Sequence, residues 1–276
     1  MFKGRRLVIA TAHQKEEVIA PLLVKHLHVR CELPENFNSD QFGTFSGEIE
    51  RSHSPLETLR KKCEAAIKLT NCSLAVASEG SFGAHPFIPF AQADDELVML
   101  LDIKNDIKIV GRKLSMNLNF GSRKIKNLTE LEEFASEKKF PSHNLIIKAP
   151  VDGTIMKDFR NWGDLTERLQ NLLKNHEELV VETDMRALHN PTRMKVIEEA
   201  TIDLINKVNS VCPNCNTPGF SAVDYKKGLP CSQCAFPTRS TLYVIHGCVK
   251  CDFTRKEYHP HGREQEEPMY CDNCNP

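Results

Sequence analysis

The stretch SLAVASEGSFG, residues 73–83, joins a run of small and apolar residues to a polar segment that contains two glycines. Residues 73–77 are typical of a buried strand, because a short apolar run bounded by turn residues suits a strand that is covered on both faces. We expect Ser78–Gly83 to form a loop where this strand ends. Glu79 is an acid beside glycines that permit close approach, so it suits a Mg²⁺ ligand next to a polyphosphate; the alternative is an ordinary turn acid.

A second apolar run, Arg6–Ala12, predicts another buried strand, and the segment Lys15–His28 after it predicts a helix. This strand would deliver Thr11, His13 and Lys15 to the mouth of the helix. Ligand sites of α/β sheets lie at such strand ends, and a helix N-terminus favours phosphate. We therefore expect these three residues to bind substrate, with ordinary loop residues as the alternative.

Residues Ser54–Leu69 predict a second helix. Ser54 suits its N-cap, Pro55 suits its first turn, and Glu57 stands three residues after the cap, as in a capping box. The helix also carries a basic group that includes Lys62. These basic residues form a solvated face unless they are aimed at the strand ends.

Strand-like and helix-like segments continue to alternate up to residue 210. The remaining strands are predicted at 96–102, 107–113, 144–148 and 178–182, and the remaining helices at 129–138, at 164–173 and in a segment that ends near residue 208. This alternation predicts an α/β domain with a buried mixed sheet, residues 1–210.

The cysteines divide the chain in two. Three of the 11, at positions 31, 63 and 72, are scattered and fit small core hydrophobes. The other eight form four Cys-x-x-Cys pairs, namely Cys212 and Cys215, Cys231 and Cys234, Cys248 and Cys251, and Cys271 and Cys274. Two such pairs complete a tetrahedral Zn²⁺ site, so we predict a small double zinc ribbon, residues 211–276, with two structural zinc ions. A redox dithiol system or an iron–sulfur cluster fits four regular pairs less well.

The spacing leaves the pairing of these motifs open. Sequential pairing joins the first pair to the second and the third to the fourth, whereas cross-braced pairing joins the first to the third. We favour the sequential arrangement, because residues 248–274 have the pattern of a self-contained ribbon: strand, turn, strand and closing knuckle.

Charge argues against nucleic acid as the main partner. The chain has 36 Lys and Arg against 37 Asp and Glu, a net charge of −1. Residues 212–276 hold seven basic and seven acidic side chains, and eight thiolates with two Zn²⁺ ions leave this module at −4. Such a module is a poor phosphate binder, so a structural or protein-docking ribbon is favoured over a nucleic-acid-binding one. A catalytic zinc is disfavoured, because four cysteine ligands leave no open position.

No apolar stretch approaches the roughly 18 residues of a membrane helix. The basic N-terminus is followed by a run, Leu7–Ala12, that is too short for a signal peptide. We therefore expect a soluble, cytoplasmic protein with no membrane partner, in which disulfides are rare.

The order of these motifs resembles the house-cleaning nucleoside triphosphate pyrophosphatases, especially the inosine/xanthosine triphosphatases. The likeness lies in Thr11 to Lys15, in Glu57 opening a basic helix, in the acidic loop at Glu79, and in a hairpin that ends in Val-Gly-Arg at 110–112. It spans roughly residues 7–175. His13 stands where that family has Asn, Lys15 comes one residue early, and Ser81 replaces a glycine.

The whole chain also resembles a bacterial domain-of-unknown-function family, number 6671, which ends in a zinc ribbon. That likeness rests on residues 40–45, 78–83, 183–186 and 190–194 and on the cysteine tail, and it carries no activity with it.

Two more segments suit a phosphate site. Asp184 and Arg186 follow a predicted strand, and Arg193 lies where the next helix begins. Asp184 and the two arginines could hold metal and phosphate, and the alternative is a capped turn that ties the domain to the ribbon through an Asp–Arg pair. Pro141-Ser142-His143 resembles, weakly, the base-recognition turn of the pyrophosphatases. The alternative for His143 is an ordinary loop histidine.

We therefore consider a Mg²⁺-dependent hydrolase that cleaves a nucleoside triphosphate, with Glu79, Glu57 and Lys15 as catalytic residues. Its substrate-binding residues would be Thr11, His13, Lys62, His143 and Arg186. The alternative is a non-catalytic nucleotide- or RNA-binding module whose ribbon docks a protein or nucleic-acid partner. A third reading is a degenerate fold kept as a scaffold.

Overall fold

A computed structural model describes residues 1–11, 13–37, 54–88 and 90–276. The motif at residues 40–45, on which part of the family resemblance rests, lies outside these described residues, as does Ala12 at the end of the predicted first strand.

A mixed five-stranded sheet, ordered β2-β1-β3-β4-β5, forms the first layer of the molecule. Its strands are β1 (Arg6–Ala10), β2 (Arg30–Glu32), β3 (Leu74–Ala84), β4 (Gln92–Asp102) and β5 (Ile107–Ser115). β1 runs parallel to both of its neighbours, whereas β3, β4 and β5 form an antiparallel meander. The first two apolar runs lie side by side, because Ala10 is paired with Ala77.

The polar segment Ser78–Gly83 is not a loop, and this prediction was wrong. β3 continues through it to Ala84 and pairs with β4 along its whole length. The ladder hydrogen bonds to β4 satisfy the backbone there in spite of two glycines. Because β1 stops at Ala10, the continued part of β3 presents its edge to the segment that holds Thr11 and Lys15.

Three helices cover the two faces of this sheet. They are α1 (Glu16–Leu27), α2 (Pro55–Thr70) and α5 (Pro191–Asn209). One face packs against α1 and α5, and the other face packs against α2. Gly111 of β5 permits the close approach of α5, since a Cβ at this position would come within 2.3 Å of the Ala200 carbonyl oxygen.

An antiparallel four-stranded sheet, ordered β6-β9-β7-β8, lies in the second half of the predicted α/β region. Its strands are β6 (Ser122–Ile125), β7 (Leu145–Lys148), β8 (Ile155–Met156) and β9 (Leu179–Thr183). Helices α3 (Leu128–Glu137) and α4 (Trp162–Leu173) pack on it with their own buried cluster, centred on Phe134 and Leu165. The region up to residue 210 therefore contains two sheets and more than one core.

The cysteine-rich tail forms a three-stranded antiparallel meander, β10 (Ser221–Lys227), β11 (Thr241–Gly247) and β12 (Thr254–Tyr258). It begins directly after α5. The segment predicted as a closing strand is a short 3₁₀ turn, Pro268–Tyr270. None of the helices in the described ranges is long and apolar enough to cross a membrane.

Candidate functional site

The eight tail cysteines form two groups of four. One group contains Cys212, Cys215, Cys248 and Cys251, and the other contains Cys231, Cys234, Cys271 and Cys274. The Sγ–Sγ contacts between pairs are 3.6 and 3.8 Å in the first group and 3.7 and 3.9 Å in the second. Sulfurs that lie 2.3 Å from a central Zn²⁺ on a tetrahedron are about 3.8 Å apart. Both groups are therefore compatible with structural zinc.

The sequential pairing that we favoured is wrong. The first motif joins the third, and the second joins the fourth. The antiparallel meander explains this, because Ser221 at the start of β10 is paired with Gly247 at the end of β11. The knuckles before β10 and after β11 therefore meet at one end of the sheet, and the other two knuckles meet at the opposite end.

Local hydrogen bonds favour the thiolate form at one cysteine of each group. A hydrogen bond from the Thr217 side chain lowers the pKa of Cys215 to about 6. The backbone N–H of Phe236 lowers the pKa of Cys234, also to about 6. Because a metal binds the thiolate, these hydrogen bonds favour metal binding at Cys215 and Cys234, whereas neighbouring thiols raise the pKa of Cys274 to about 12.

A second cluster of charged side chains lies at the open edge of β3. Lys62 of α2 and Glu79 of β3 form an ion pair of 2.5 Å, and both side chains are less than 10% exposed. Lys15 is buried, and the structure describes no hydrogen-bond partner for its ammonium group. Burial, reinforced by Arg193, lowers the pKa of Lys15 from 10.5 to about 7, against the opposing charges of Glu96 and Glu79. Lys15, Lys62 and Glu79 are thus brought together, as the sequence predicted.

Three further charged residues complete this cluster, and of these the sequence suggested only Arg193. Arg193, in the first turn of α5, donates to Glu96 of β4 over 2.6 Å, and both side chains are fully buried. Asp94 lies on the same face of β4, two residues away. Burial and the charge of Glu96 raise the pKa of Asp94 from 3.8 to about 8. The Lys62–Glu79 pair lies on the face of the sheet covered by α2, whereas Asp94, Glu96 and Arg193 lie on the face covered by α5, and Lys15 interacts electrostatically with both groups. We refer to Lys15, Lys62, Glu79, Asp94, Glu96 and Arg193 together as the charge cluster.

Gly80 makes room for this arrangement. It is paired with Glu96 across the β3–β4 ladder, and a Cβ at Gly80 would come within 2.1 Å of the Glu96 carboxylate. Gly80 therefore serves packing within a strand and does not form the turn that the sequence suggested.

Several oxygens around the charge cluster are buried without a hydrogen-bond partner among the described residues. They are Thr11 Oγ1, Ser78 Oγ, Asp94 Oδ1 and Glu96 Oε2. Buried polar atoms are nearly always satisfied in folded proteins, so a group of four in one place marks a site that accepts a ligand. Carboxylate and hydroxyl oxygens are the donors that Mg²⁺ prefers.

A cleft of about 350 Å³ adjoins the charge cluster. Phe82 is part of its wall and also lies under the Arg193 guanidinium, 5.3 Å from it. The ring of Phe120 faces Phe82 at 6.4 Å with nearly parallel planes. Lys148 and Lys157 line the opposite side, on and after the strands of the second sheet. The cleft is thus both aromatic and basic.

Arg186 also lines this cleft, but its guanidinium is already engaged. It donates to Asp184 and to Asp158, each over 2.6 Å, and His189 contacts the same Asp158 oxygen at 2.7 Å. These two acids and His189 lie close enough to hold a metal ion. The guanidinium supplies the compensating cation instead, so the group is better explained as an ion-pair network that fixes the turn before α5.

The remaining predicted residues lie outside the charge cluster. Glu57 is exposed, and its carboxylate accepts from the Ser54 backbone N–H, which confirms the predicted capping box. His143 contacts Ser142 and Thr192 through its two ring nitrogens and so ties the preceding turn to the start of α5. Burial lowers the pKa of His143, which keeps the ring neutral. His13 is half-buried with a left-handed backbone, φ 63°.

A sequence signal existed for the acids that were missed. Asp94 and Glu96 alternate on one face of a segment that is otherwise apolar, so each had to lie on the same side of a strand as buried residues. The separation of 97 residues between Glu96 and Arg193 gives no local pattern, and only the packing of α5 on β4 reveals that pair.

The comparisons with known proteins assign a family without an activity. No curated protein matches the chain at a significant level. Residues 62–276 match the family described as a domain of unknown function, DUF6671. The matched region begins at Lys62 in α2 and includes the rest of the charge cluster apart from Lys15, together with both cysteine groups. Since this match covers well over half of the chain, the protein belongs to the domain-of-unknown-function family DUF6671.

Proposed function

We propose that the protein is a Mg²⁺-dependent nucleotide hydrolase, which splits a nucleoside triphosphate into a monophosphate and pyrophosphate at the charge cluster. The observation that carries this proposal is the set of six buried charges beside four buried oxygens without described partners. Burying so many ionisable groups is costly, and clusters of this kind concentrate at functional sites.

Lys15 is the group that best fits a phosphate. It is buried and projects among other charges without a described hydrogen-bond partner, and its pKa is lowered to about 7. A phosphate oxygen would hold this amine in its charged form, since an anion at contact distance raises an ammonium pKa. Lys62 and Arg193 add positive charge on either side, although each is also paired with an acid.

Asp94 and Glu96 fit a divalent cation. Their carboxylates repel one another, which raises the pKa of Asp94, and one oxygen of each lacks a described partner. Mg²⁺, when bound, would neutralise charge that develops on the phosphate oxygens. The sequence suggested Glu79 for this role. Glu79 and Glu96 each have an ion-pair partner, but Asp94 Oδ1 and Glu96 Oε2 are buried without a described partner, so Asp94 and Glu96 fit the metal better.

We assign the water to Glu79, which points to the other face of the sheet from Asp94 and Glu96, so the triphosphate would cross the open edge of β3 beside Lys15. The water oxygen forms a bond to the α-phosphorus, the bridging P–O bond between the α- and β-phosphates breaks, and pyrophosphate leaves with the bonding electrons. The water gives its proton to Glu79, whose orientation is fixed by the ion pair with Lys62. The adjoining cleft, walled by Phe82 and Phe120, offers an apolar surface for the nucleoside.

The test is pyrophosphate release from a panel of common nucleoside triphosphates with inosine and xanthosine triphosphates, in Mg²⁺ and in Mn²⁺. We expect Glu96→Gln and Lys15→Met to lower turnover at least about 100-fold, since each removes a charge on which phosphate or metal depends. Asp95→Asn is the matched control, because Asp95 adjoins both acids but points to the other face and pairs with Arg112.

The competing function is nucleotide binding without catalysis. The two tight ion pairs favour this alternative, because side chains that are already paired can hold a ligand without taking part in a reaction. Saturable binding of a triphosphate with no product, lost in Lys15→Met and kept in Asp95→Asn, would establish this alternative. Wild-type protein that neither binds nor turns over any member of the panel would refute both functions.

A further inference from the structure

One face of the three-stranded sheet in the tail combines aromatic rings with basic side chains. Residues that are directly paired in an antiparallel sheet share a face, as do residues two apart on one strand. The pairing up to the register shift after Lys226 defines one face, with Asp224, Lys226, Tyr243, Ile245, Lys256 and Tyr258. Lys227 and Thr241 are paired with each other just beyond that shift, and we include them in what we call the ribbon face.

The two tyrosines lie at the middle of the ribbon face. Tyr243 and Tyr258 are paired across β11 and β12 with ring centroids 5.1 Å apart, and Tyr258 is 55% exposed. The Lys256 ammonium lies 4.7 Å from the centre of the Tyr243 ring. Exposed, laterally arranged rings with a cation beside them present π-faces to any planar group that arrives from solvent.

The charges on the ribbon face are not neutralised. Lys226, Lys227 and Lys256 are exposed, and none of them forms an ion pair with another residue that the structure describes. Asp224 is the single acid on this face. Most acids of the tail lie elsewhere: Glu257 projects from the opposite face and contacts His246, and Glu266 accepts from Ser240 near the second cysteine group.

The basic surface continues past one edge of the ribbon face. Thr241 also borders a cleft of about 420 Å³ that is lined by Arg239, His261 and Arg263. The side chains of Arg239 and Arg263 are 79% and 64% exposed. From the level of Lys256 to Thr241 the strand extends about 13 Å, at roughly 3.3 Å per residue. Aromatic rings thus lead into a cleft that holds two arginines, of which Arg239 is paired with Asp272 and Arg263 with Glu266, itself part of the lining.

We propose that the ribbon face binds single-stranded nucleic acid, with bases stacked on Tyr243 and Tyr258 and phosphates against the three lysines. Stacking requires unpaired bases, because the bases of a duplex offer only their edges to a protein. A polyanion also complements a face with three free cations and one acid. The net charge of −4 for the whole module conceals this face. Because salt screens distant charges, a bound strand responds mainly to the charges close to it.

The test is fluorescence anisotropy with the full-length zinc-loaded protein and labelled single strands of poly(U) and poly(dT), with a blunt duplex for comparison. The triple variant K226E/K227E/K256E removes the basic groups of the ribbon face. The matched control is K3E/K68E/K108E, which makes the same change of charge at exposed lysines of the first sheet and its helices. Zinc content is measured for each variant to confirm that the tail is intact.

We expect both single strands to bind and the duplex to bind at least about tenfold more weakly. The logarithm of affinity should fall with the logarithm of salt concentration with a slope near −2, because each phosphate neutralised on a single strand contributes about −0.7. The ribbon-face triple variant should lose this binding, whereas the control should keep it within about threefold.

The tyrosines separate stacking from charge. Tyr243→Ala should weaken binding by about tenfold or more, and Tyr243→Phe should retain it, because the phenyl ring keeps the π-face. A preference for poly(U) over poly(dT) would identify RNA as the natural strand. No saturable binding to either strand, or equal losses in the two triple variants, would overturn the proposal and leave the ribbon face to a protein partner.

Discussion

The cysteine groups and the charge cluster both bring together groups that repel one another, but they are assembled differently. Each cysteine group takes its ligands from two tight knuckles, and a divalent metal is the only counter-charge that such a group needs. The charge cluster takes six side chains from α2, α5, β3, β4 and the segment after β1, and it is balanced by its own cations. The spacing of nearby residues in the sequence can therefore indicate a metal site, whereas a cluster of balanced charges depends on the completed fold.

The largest effect should come from breaking the cysteine groups. Cys212→Ser with Cys248→Ser should remove one zinc ion per chain, because both residues belong to the first group. Cys212→Ser with Cys231→Ser should remove both ions. Since structural zinc contributes about 10–16 kcal/mol to folding of small zinc modules, the tail should unfold locally while the first domain persists. Elemental analysis and limited proteolysis check this, and the opposite zinc counts would restore sequential pairing.

The charge cluster should respond strongly when one partner of a buried pair is removed. Arg193→Met leaves the Glu96 carboxylate buried without its cation, so the free energy of unfolding should fall by about 3–5 kcal/mol. Arg193→Met with Glu96→Gln should recover part of this loss, because the double variant buries no net charge at the pair. Urea unfolding measures all three proteins. A double variant less stable than Arg193→Met would contradict the pairing.

The pH dependence of stability should reveal Asp94. The pKa of Asp94 is about 8 in the folded protein against 3.8 for a free side chain. Between these values the folded state holds a proton that the unfolded state has lost, so stability falls as pH rises. In buffer without Mg²⁺, we expect wild type to lose about 2–4 kcal/mol more than Asp94→Asn between pH 5 and pH 8. Parallel stability curves for the two proteins would show that Asp94 ionises normally.

A smaller effect should follow from filling the space at Gly80. Gly80→Ala places a methyl group against the Glu96 carboxylate, which is fixed by Arg193, and should cost about 1–3 kcal/mol. Gly83→Ala is the matched control on the same strand, because a Cβ there meets no atom within 4 Å. Thermal unfolding compares the two. Equal losses would mean that flexibility of the strand, rather than contact with Glu96, sets the requirement for glycine.

The smallest effect should be at the helix cap. Glu57→Gln keeps a group that can accept from the Ser54 backbone N–H, so stability should change by less than about 0.5 kcal/mol. Ser54→Ala removes the cap itself and should cost about 1 kcal/mol. Pyrophosphate release is measured in parallel. A large loss of activity in Glu57→Gln with unchanged stability would return Glu57 to the catalytic residues.

What the sequence could predict follows how local each signal is. Three features depend on residues that are close in sequence, and the sequence predicted all of them. They are the cap at Ser54, the hairpin between β4 and β5, and the four Cys-x-x-Cys pairs. The pairing of the cysteine motifs was not predicted correctly, because it depends on strand direction. The segment Ser78–Gly83 was mistaken for a loop, because two glycines and an acid usually mark one. In the structure, Gly80 instead makes room for a side chain from β4.

The sequence predicted the site residues that lie next to strand ends. It did not predict the contacts between elements that are far apart in the chain. Lys15, Lys62 and Glu79 were predicted from their places after β1, on α2 and after a buried run. Glu96 and Arg193 meet only because α5 packs across β4, and no spacing in the sequence indicates this contact.

Helix α5 spans the distance between the two regions. It is an unbroken helix of 19 residues, about 28 Å long, with Arg193 in its first turn and the first cysteine knuckle three residues beyond its end. Helix α5 therefore makes a direct covalent connection between the charge cluster and the first cysteine group. If a nucleotide at the N-terminal end makes the protein hold zinc more tightly, zinc must strengthen the binding of that nucleotide by the same factor. The metal content of a preparation would then set its apparent affinity at a site that contains no cysteine.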